Sequence, residues 1–224
     1  MNKTALYPLF LRLENQDVVV VGAGDVATRK VRSLLPTGAS IRVVAPEFSD
    51  ELMQLEQDGL IEGCHRTFSP DDVKGVRLVF CATDDPQVNR EVFAAGAQQN
   101  VPVNVVDVPD LCDFYVPSTL RRGALQVAVS TSGAAPHMAR NIRRGLEETF
   151  PEWWEPYLDL LAAVRLLIKE RVPGPAYRRA SLMEAVTGSD LEQRAAEGNL
   201  PDAEWVYQNR VEPLLDKEVA GSWQ

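Results

Sequence analysis

The first half of the chain alternates between short β-branched runs and amphipathic stretches. Val18 to Val21 are consecutive valines, as expected for a parallel strand that is buried on both faces. Residues 25–35 place apolar side chains on one face of a helix, which Pro36 and Gly38 end. The alternation continues with strands at 41–44, 60–64, 77–82 and 103–106 and with helices at 50–59 and 86–99. Strands separated by helices predict βαβ units in a mostly parallel sheet.

The pattern changes after residue 107. A loop through 114–117 leads to a strand at 125–129, a polar turn at 130–133 and a basic helix at 136–148. Beyond Pro151 the apolar spacing indicates helices, at 153–171, 178–186 and 202–219. We therefore expect an α/β fold in three parts, with a sheet domain at 1–113, a central segment at 114–150 and an all-helical module at 151–224.

Composition narrows the class of protein. The 224 residues carry a net charge of −9, with 45% hydrophobic and 25% charged residues, which suits an ordinary packed core. Such an acidic chain argues against a nucleic-acid partner. No apolar run reaches the roughly 18 residues of a membrane span, and the stretch Leu6 to Leu11 is too short for a signal peptide. We therefore expect a soluble, cytoplasmic protein with no membrane contact.

The cysteines and histidines do not predict a metal site. Cys64, Cys81 and Cys112 lie far apart without C-x-x-C spacing, so neither a disulfide framework nor a zinc site is indicated. Cys81 lies in an apolar run and is interpreted as a buried structural thiol. His65 has no evident partner, and His137 is interpreted as a surface residue at a helix start, with metal or proton handling as the alternative.

A glycine turn follows the valine strand directly. The sequence from Gly22 to Ala27 matches the dinucleotide fingerprint G-x-G-x-x-A. Gly22 permits the tight turn, Gly24 lets backbone approach a pyrophosphate, and Ala27 lets the helix pack closely on the sheet. Asp25 and Val26 begin the helix, whose N–H groups favour phosphate. This context predicts a Rossmann-type nucleotide-binding unit; a glycine turn without a ligand is the alternative.

The loop after the second strand bears on the choice of cofactor. The fingerprint places an acidic residue for the adenosine ribose at the end of that strand, where Ala45 stands. Glu47 follows after Pro46, and these two loop residues are predicted to contact the cofactor instead. No arginine stands there to bind a 2′-phosphate, so NAD is preferred over NADP.

Several motifs along residues 7–150 together resemble the precorrin-2 dehydrogenase family, which includes the amino-terminal half of siroheme synthases. The motifs are Tyr7–Leu11, Val20–Lys30, Ala82–Asp85, Asn104–Asp107, Phe114–Ser118 and Ala128–Gly133, with Pro136, Ala139, Arg140 and Arg143. The resemblance implies oxidation of precorrin-2 to sirohydrochlorin with NAD⁺ and, in some members, insertion of Fe²⁺ to give siroheme. It also implies a homodimer in which the segment 114–150 crosses between subunits. The chain ends at Gln224, so we expect a methyltransferase activity to lie elsewhere.

Asp107 is the candidate catalytic residue. It ends the fifth strand, and ligands of open α/β sheets bind at the carboxyl ends of the strands. The family places its essential carboxylate in this motif, where it is suited to act as general base; a loop aspartate before Pro109 is the alternative. Thr83 is predicted on the cofactor side, and Asp84 or Asp85 is predicted to cap the following helix.

Basic and polar residues of the central segment are candidates for binding the anionic tetrapyrrole, because arginine pairs well with carboxylates. The predicted substrate-binding residues are Ser118, Arg121, Ser130, Ser132, Arg140 and Arg143. The alternatives are a solvated helix face balanced by Glu147 and Glu148, and a polar turn that only caps the helix at Pro136. The aromatic residues of the tail are interpreted as core.

The sequence leaves the activity open between three functions. The first is an NAD-dependent precorrin-2 dehydrogenase, and the second is a bifunctional dehydrogenase and ferrochelatase that uses the same carboxylate. The third is a non-catalytic nucleotide-binding regulator, which would not require Asp107 or a cluster of arginines.

Overall fold

A computed structural model describes residues 5–221 of the chain, with side chains described as far as Asp216. These residues fall into two compact units, which divide between Val116 and Pro117. That division lies close to the predicted boundary at 113 and 114, while the predicted separation of a central segment from a helical module stays a prediction. In the part of the chain described, no helix has the length and apolar character needed to cross a membrane.

The first unit is built on a parallel sheet in the order β3-β2-β1-β4-β5. The strands are β1 (Asp17–Val21), β2 (Ser40–Val44), β3 (Glu62–Cys64), β4 (Leu78–Cys81) and β5 (Val103–Val105). Every described pairing between neighbouring strands of this sheet is parallel, which confirms the predicted Rossmann-type fold. The order places the carboxyl ends of β1 and β4 side by side at the centre of the sheet.

Helices cover both faces of this sheet and generate two apolar cores. They are α1 (Asp25–Leu34), α2 (Asp50–Gln57) and α3 (Pro86–Gln99). Because neighbouring side chains of a strand point to opposite faces, Val18 and Val20 join the core under α1, while Val19 and Val21 join the core under α3. The valine run is therefore buried on both faces, as its sequence predicts.

Two helices of this unit begin at side chains that cap their first amides. Ser49 is the N-cap of α2, and its hydroxyl accepts from the amide of Leu52 at 3.4 Å. At α3 the carboxylate of Asp85 accepts from the amide of Gln87 at 2.7 Å, which confirms a capping aspartate. Ser49 suits the cap because it has extended backbone geometry and a short side chain.

The second unit opens with an antiparallel hairpin of β6 (Ser118–Arg122) and β7 (Leu125–Val129), followed by α4 (Pro136–Thr149). The sequence predicted β7 and α4 but treated residues 118–122 as part of a loop, which was wrong. Serine, threonine and paired arginines carry little strand signal, and β6 forms because Gly123, with φ +53°, turns the chain back onto β7.

The rest of the second unit is helical, as predicted, and has its own core. The helices are α5 (Trp154–Arg171), α6 (Ala176–Thr187), α7 (Leu191–Ala196), α8 (Ala203–Val206) and α9 (Glu212–Gly221), with a π-helical turn at Tyr207–Val211. The short α7 was not predicted. Trp153, Trp154 and Tyr157 pack in this core, which confirms the interpretation of these aromatic residues as core.

Candidate active site

The turn between β1 and α1 has the geometry expected of a pyrophosphate-binding turn. Gly22 has φ +99°, and a Cβ there would lie 2.3 Å from the carbonyl oxygen of Ala82, so the position requires glycine. Around Gly24 a Cβ would meet no described atom within 4 Å. Gly24 is the N-cap of α1 and has no side chain to engage the first amides of the helix. Those N–H groups and the space above them are available to an anion.

The loop after β2 is fastened beside this turn. The amide of Ser49 donates to the carbonyl oxygen of Ala23 at 3.0 Å, and the hydroxyls of Ser49 and Thr28 lie 3.0 Å apart. Pro46 and Glu47 are exposed in the same loop. Sequence reasoning did not single out Thr28 or Ser49, because their pairing spans 21 positions and depends on the tertiary fold.

A cavity of about 340 Å³ lies at the carboxyl ends of β4 and β5. Its lining includes Val26 from the start of α1, Thr83 and Asp84 from the loop after β4, and Asp107 from the loop after β5. The structure thus brings together candidates that the sequence placed in separate motifs. Another depression, of about 370 Å³, lies at the amino ends of β1 and β2, away from the glycine turn and from Asp107.

Asp107 lies in a sharp turn at the rim of this cavity. It is exposed, and its φ of +61° is in the left-handed region that non-glycine residues seldom adopt. The amide of Val106 still donates to the carbonyl oxygen of Cys81 on β4, at 2.9 Å. Asp107 therefore follows the last backbone bond of the sheet, and its carboxylate is accessible to a ligand.

Thr83 belongs to a buried polar network beneath the cavity. Its hydroxyl donates to Oδ1 of Asn89 at 2.8 Å, and the thiol of Cys81 donates to the same oxygen at 3.0 Å. Burial raises the pKa of Cys81 to about 11, so this thiol stays protonated at neutral pH, as a structural role requires. Because the Thr83 hydroxyl already donates to Asn89, its oxygen is left to accept from a cofactor.

Lys30 on α1 is a charged residue to which the sequence assigned no role. It lies one helical turn after Val26, is half-buried, and places Nζ 5.8 Å from the centre of the Phe80 ring. Burial and the neighbouring Arg29 lower the pKa of Lys30, while the negative charge of Asp107 opposes that shift. Among the described residues, no hydrogen bond or ion pair satisfies its ammonium group.

In the second unit, the hairpin brings some of the predicted substrate residues together. Ser118 pairs with Val129, so it lies beside the turn that begins at Ser130. In that turn the Ser130 hydroxyl accepts from the amide of Ser132 at 3.1 Å, and Ser132 has φ +52°. Arg121 lies at the opposite end of β6, where it pairs with Gln126.

The arginines of the second unit differ in what their side chains contact. Arg143 forms an ion pair with Glu147 one turn later on α4. Arg122 donates from Nε to the carbonyl oxygen of Phe150 at 3.0 Å and thereby ties the hairpin to the end of α4. Arg140 and Arg144 are exposed. The geometry thus favours Arg140 over Arg143 as a residue with a side chain available to an anion.

The histidines are explained by local contacts. Nε2 of His65 lies 2.8 Å from a carboxylate oxygen of Glu56, and the centre of its ring lies 4.3 Å from that of Phe48, with the two planes tilted by 31°, so the expectation that His65 lacks a partner was wrong. His137 is exposed near the start of α4. Over the residues that the structure describes, no three His, Cys, Asp or Glu side chains cluster closely enough to hold a metal ion.

The fold and the glycine turn define a Rossmann-type nucleotide-binding protein. Residues 9–118 match the NAD(P)-binding family NAD_binding_7, and residues 122–149 match the family described as "Sirohaem biosynthesis protein central". The solved structure of SirC, precorrin-2 dehydrogenase, superposes with a TM-score of 0.72 and 30% identity, covering 83% of this chain and 91% of that chain. The chain belongs to the precorrin-2 dehydrogenase and siroheme synthase family.

Curated relatives agree with this assignment. The siroheme synthase of Methylococcus capsulatus is 38% identical over 211 residues, and that of Pseudomonas putida is 40% identical over 205 residues. These matches cover 94% and 92% of this chain but 44% of each relative. The chain therefore spans less than half the length of the curated relatives that it matches.

Proposed function

We propose that the protein oxidises precorrin-2 to sirohydrochlorin with NAD⁺ and that Asp107 is the general base. The observation that carries the proposal is that Asp107 and Val26, the second residue of α1, line one cavity at the carboxyl edge of the sheet. A nucleotide held by the start of α1 reaches this edge of a Rossmann-type sheet. The nicotinamide, which accepts the hydride, and Asp107, which accepts the proton, are then adjacent.

The chain's own residues fit the cofactor. Open space above Gly24 and the first amides of α1 accommodate a pyrophosphate, and Asp25 and Val26 begin the same helix. Thr83 offers its hydroxyl oxygen from the other side of the cavity. When bound, NAD⁺ supplies the hydride acceptor for the reaction.

The preference for NAD over NADP is assigned to the loop after β2. Pro46 and Glu47 are exposed there, and hydrogen bonds of Ser49 hold the loop beside the glycine turn. A carboxylate at Glu47 accepts hydrogen bonds from the hydroxyls of an adenosine ribose and repels a 2′-phosphate. Glu47 is therefore the residue that distinguishes the two cofactors.

The proton balance of the reaction requires a base. Precorrin-2 loses one hydride to NAD⁺ and one proton, giving sirohydrochlorin, NADH and H⁺. Asp107 is exposed at the cavity rim, so its carboxylate can accept that proton and pass it to solvent. In this role the loss of a single carboxylate should remove most of the rate while leaving cofactor binding intact.

The second unit is proposed to bind the carboxylates of the tetrapyrrole. Ser118, Ser130 and Ser132 lie at the open end of the hairpin, and Arg121, Arg140 and Arg143 supply positive charge. We also propose that the protein acts as a cytoplasmic homodimer through residues 114–150, on the basis of the family to which the chain belongs.

Anaerobic turnover tests this function. Purified protein is mixed with precorrin-2 and either NAD⁺ or NADP⁺, and NADH and the tetrapyrrole spectrum are followed together. We expect equal amounts of NADH and sirohydrochlorin, a lower rate with NADP⁺, and loss of both products in Asp107→Asn with NADH binding retained. A folded protein that turns over neither cofactor would refute the proposal and leave a nucleotide-binding regulator.

Metal insertion is the second candidate activity, because the curated relatives are siroheme synthases. Chelation must remove two pyrrole N–H protons, and the carboxylate of Asp107 can accept them if sirohydrochlorin occupies the same cavity. Adding Co²⁺ or Fe²⁺ after the first reaction tests this point. A metal-dependent spectral change faster than the protein-free control, and slowed by Asp107→Asn, is expected of a bifunctional enzyme.

A further inference from the structure

The backbone at Asp107 needs an explanation that the proposed reaction does not provide. A φ of +61° is unusual for aspartate, and the residue is exposed, so no core packing of its own side chain holds it there. Backbone conformations of this kind persist where the surrounding structure fixes them. The contacts of the loop that follows β5 therefore decide where the carboxylate points.

The chain after Asp107 returns to β5 and pairs with it. Asp113 forms two hydrogen bonds with the backbone of Val103. The amide of Asp113 donates to the carbonyl oxygen of Val103 at 2.8 Å, and its carboxylate accepts from the amide of Val103 at 2.9 Å. Cys112 forms an antiparallel bridge with Asn104. Residues 112–114 thus run along β5, the last strand of the sheet, and close the loop 106–111 at its base.

Asn104 provides a second attachment from inside β5. It is a buried polar residue, 7% exposed, and its Nδ2 donates to the carbonyl oxygen of Phe114 at 2.9 Å while lying 3.4 Å from Sγ of Cys112. A buried amide of this kind is costly unless it is satisfied. Its bonds to the returning segment therefore make the closed loop the favourable conformation.

Cys112 attaches the interior of the loop. Its thiol lies 3.1 Å from the carbonyl oxygen of Val105 and 3.3 Å from that of Val108, so the single S–H is shared between two carbonyls that flank Asp107. Val105 and Val108 are also joined by a backbone hydrogen bond, in which the amide of Val108 donates to the carbonyl oxygen of Val105 at 3.3 Å. The thiol thereby fixes the backbone on both sides of the candidate base.

We propose that Asn104, Cys112 and Asp113 are positioning residues that clamp the loop 106–111 and hold the carboxylate of Asp107 toward the cavity. This inference rests on the proposed function, since it assigns the clamp to the base of that reaction. Val108 and Leu111 pack on the core beneath α3, and these apolar contacts involve none of the three clamp side chains. We therefore expect loss of the clamp to loosen the loop without removing its apolar contacts.

The test compares Asp113→Ala with Asp113→Asn. The alanine variant loses the side-chain acceptor for the Val103 amide, whereas the amide oxygen of asparagine still accepts this bond. We expect Asp113→Ala to lower kcat on the order of tenfold to a hundredfold, as misplacement of a catalytic group does, with KM for NAD⁺ within about twofold. Asp113→Asn should recover most of that rate. Asp110→Ala removes an exposed carboxylate from the same loop and should match wild type.

A second pair of variants, Cys112→Ala and Cys112→Ser, provides the test if Asp113→Ala does not fold. Serine retains a donor for the carbonyl oxygens of Val105 and Val108, whereas alanine does not. We therefore expect Cys112→Ala to have a lower kcat than wild type and Cys112→Ser to have a kcat close to that of wild type. Wild-type kcat in both alanine variants, with Asp107→Asn inactive, would overturn the clamp alone. Equal losses in each alanine variant and its conservative partner would also overturn it. An inactive wild type would reject the proposed function and this inference with it.

Discussion

Alanine substitutions at Gly22 and Gly24 separate the structural role of the glycine turn from its cofactor role. At Gly22 the new Cβ would lie 2.3 Å from the carbonyl oxygen and 2.8 Å from the carbonyl carbon of Ala82, at φ +99°. The left-handed conformation costs roughly 1–2 kcal/mol for an L-residue, and forced displacement of a packed neighbour adds roughly 1–3 kcal/mol. We therefore expect Gly22→Ala to lose about 3 kcal/mol of unfolding free energy.

Gly24→Ala is the matched control for stability. The backbone at Gly24 has φ −85° and ψ −168°, which alanine adopts readily, and the added Cβ points into open space. The unfolding free energy should change by less than about 1 kcal/mol, which is the scale of an N-cap substitution. If that space receives the pyrophosphate, the same methyl group should raise the Kd for NADH at least about tenfold, or about 1.4 kcal/mol.

Two measurements resolve the pair. Thermal unfolding should place the Tm of Gly22→Ala roughly 10 °C below that of wild type and leave that of Gly24→Ala nearly unchanged. Fluorescence titration with NADH should then show weak binding in the stable Gly24→Ala variant. Wild-type affinity in Gly24→Ala would refute the placement of the pyrophosphate at this turn, and an undiminished Tm in Gly22→Ala would refute the steric argument.

Three further predictions follow from individual side chains. Glu47→Ala should weaken the preference for NAD⁺ over NADP⁺ by raising the rate with NADP⁺. If the ratio of kcat/KM for NAD⁺ to kcat/KM for NADP⁺ is the same in the variant as in wild type, Glu47 does not select the cofactor. Asp72→Asn should cost about 2 kcal/mol, because the carboxylate is 5% exposed and accepts from Arg66 and from the Ser69 amide. Burial alone would raise the pKa of Asp72, but these hydrogen bonds outweigh burial and lower the pKa. The stabilisation by the Asp72 carboxylate is therefore complete above the ordinary aspartate pKa and is lost as pH falls through the lowered pKa. Chemical denaturation should show the unfolding free energies of wild type and Asp72→Asn converging in acid and differing at pH 7. Lys30→Met should retain the unfolding free energy of wild type or gain less than about 1 kcal/mol at pH 7, because burial lowers the pKa of Lys30. Any stability that wild type lacks relative to this variant should be recovered as pH rises from the lowered pKa of Lys30 to the ordinary lysine pKa. A Tm of Lys30→Met far below that of wild type at pH 7 would contradict this account.

Much of the fold could be predicted because it depends on local periodicity. The valines of β1 are buried on both faces, and α3 begins and ends at the predicted residues. The glycine turn was also recognisable, since Gly22 and Gly24 act through backbone geometry that few other residues permit. The position of Asp107 at the carboxyl edge of the sheet, where it lines the cavity, could be predicted because the carboxyl ends of parallel strands share one edge; its role as a base stays a prediction.

The features missed by the sequence depend on contacts between distant positions. β6 forms because it pairs with β7, and its own residues have weak strand character. The half-buried position of Lys30 over Phe80 joins residues 50 positions apart, and the attachment of Asn104 to Phe114 is a bond between a strand interior and a loop. Such polar residues resemble ordinary surface positions until the tertiary structure buries them.

The most direct test of the central claim is a single anaerobic turnover with enzyme in excess over precorrin-2 and with saturating NAD⁺, run on wild type and on Asp107→Asn. The substituted asparagine is nearly isosteric with aspartate but is not a base, so the account predicts one NADH per sirohydrochlorin in wild type and almost none in the variant, with equal NADH affinity in both. Formation of sirohydrochlorin and NADH by the variant at the wild-type rate would contradict the assignment of Asp107 as the general base.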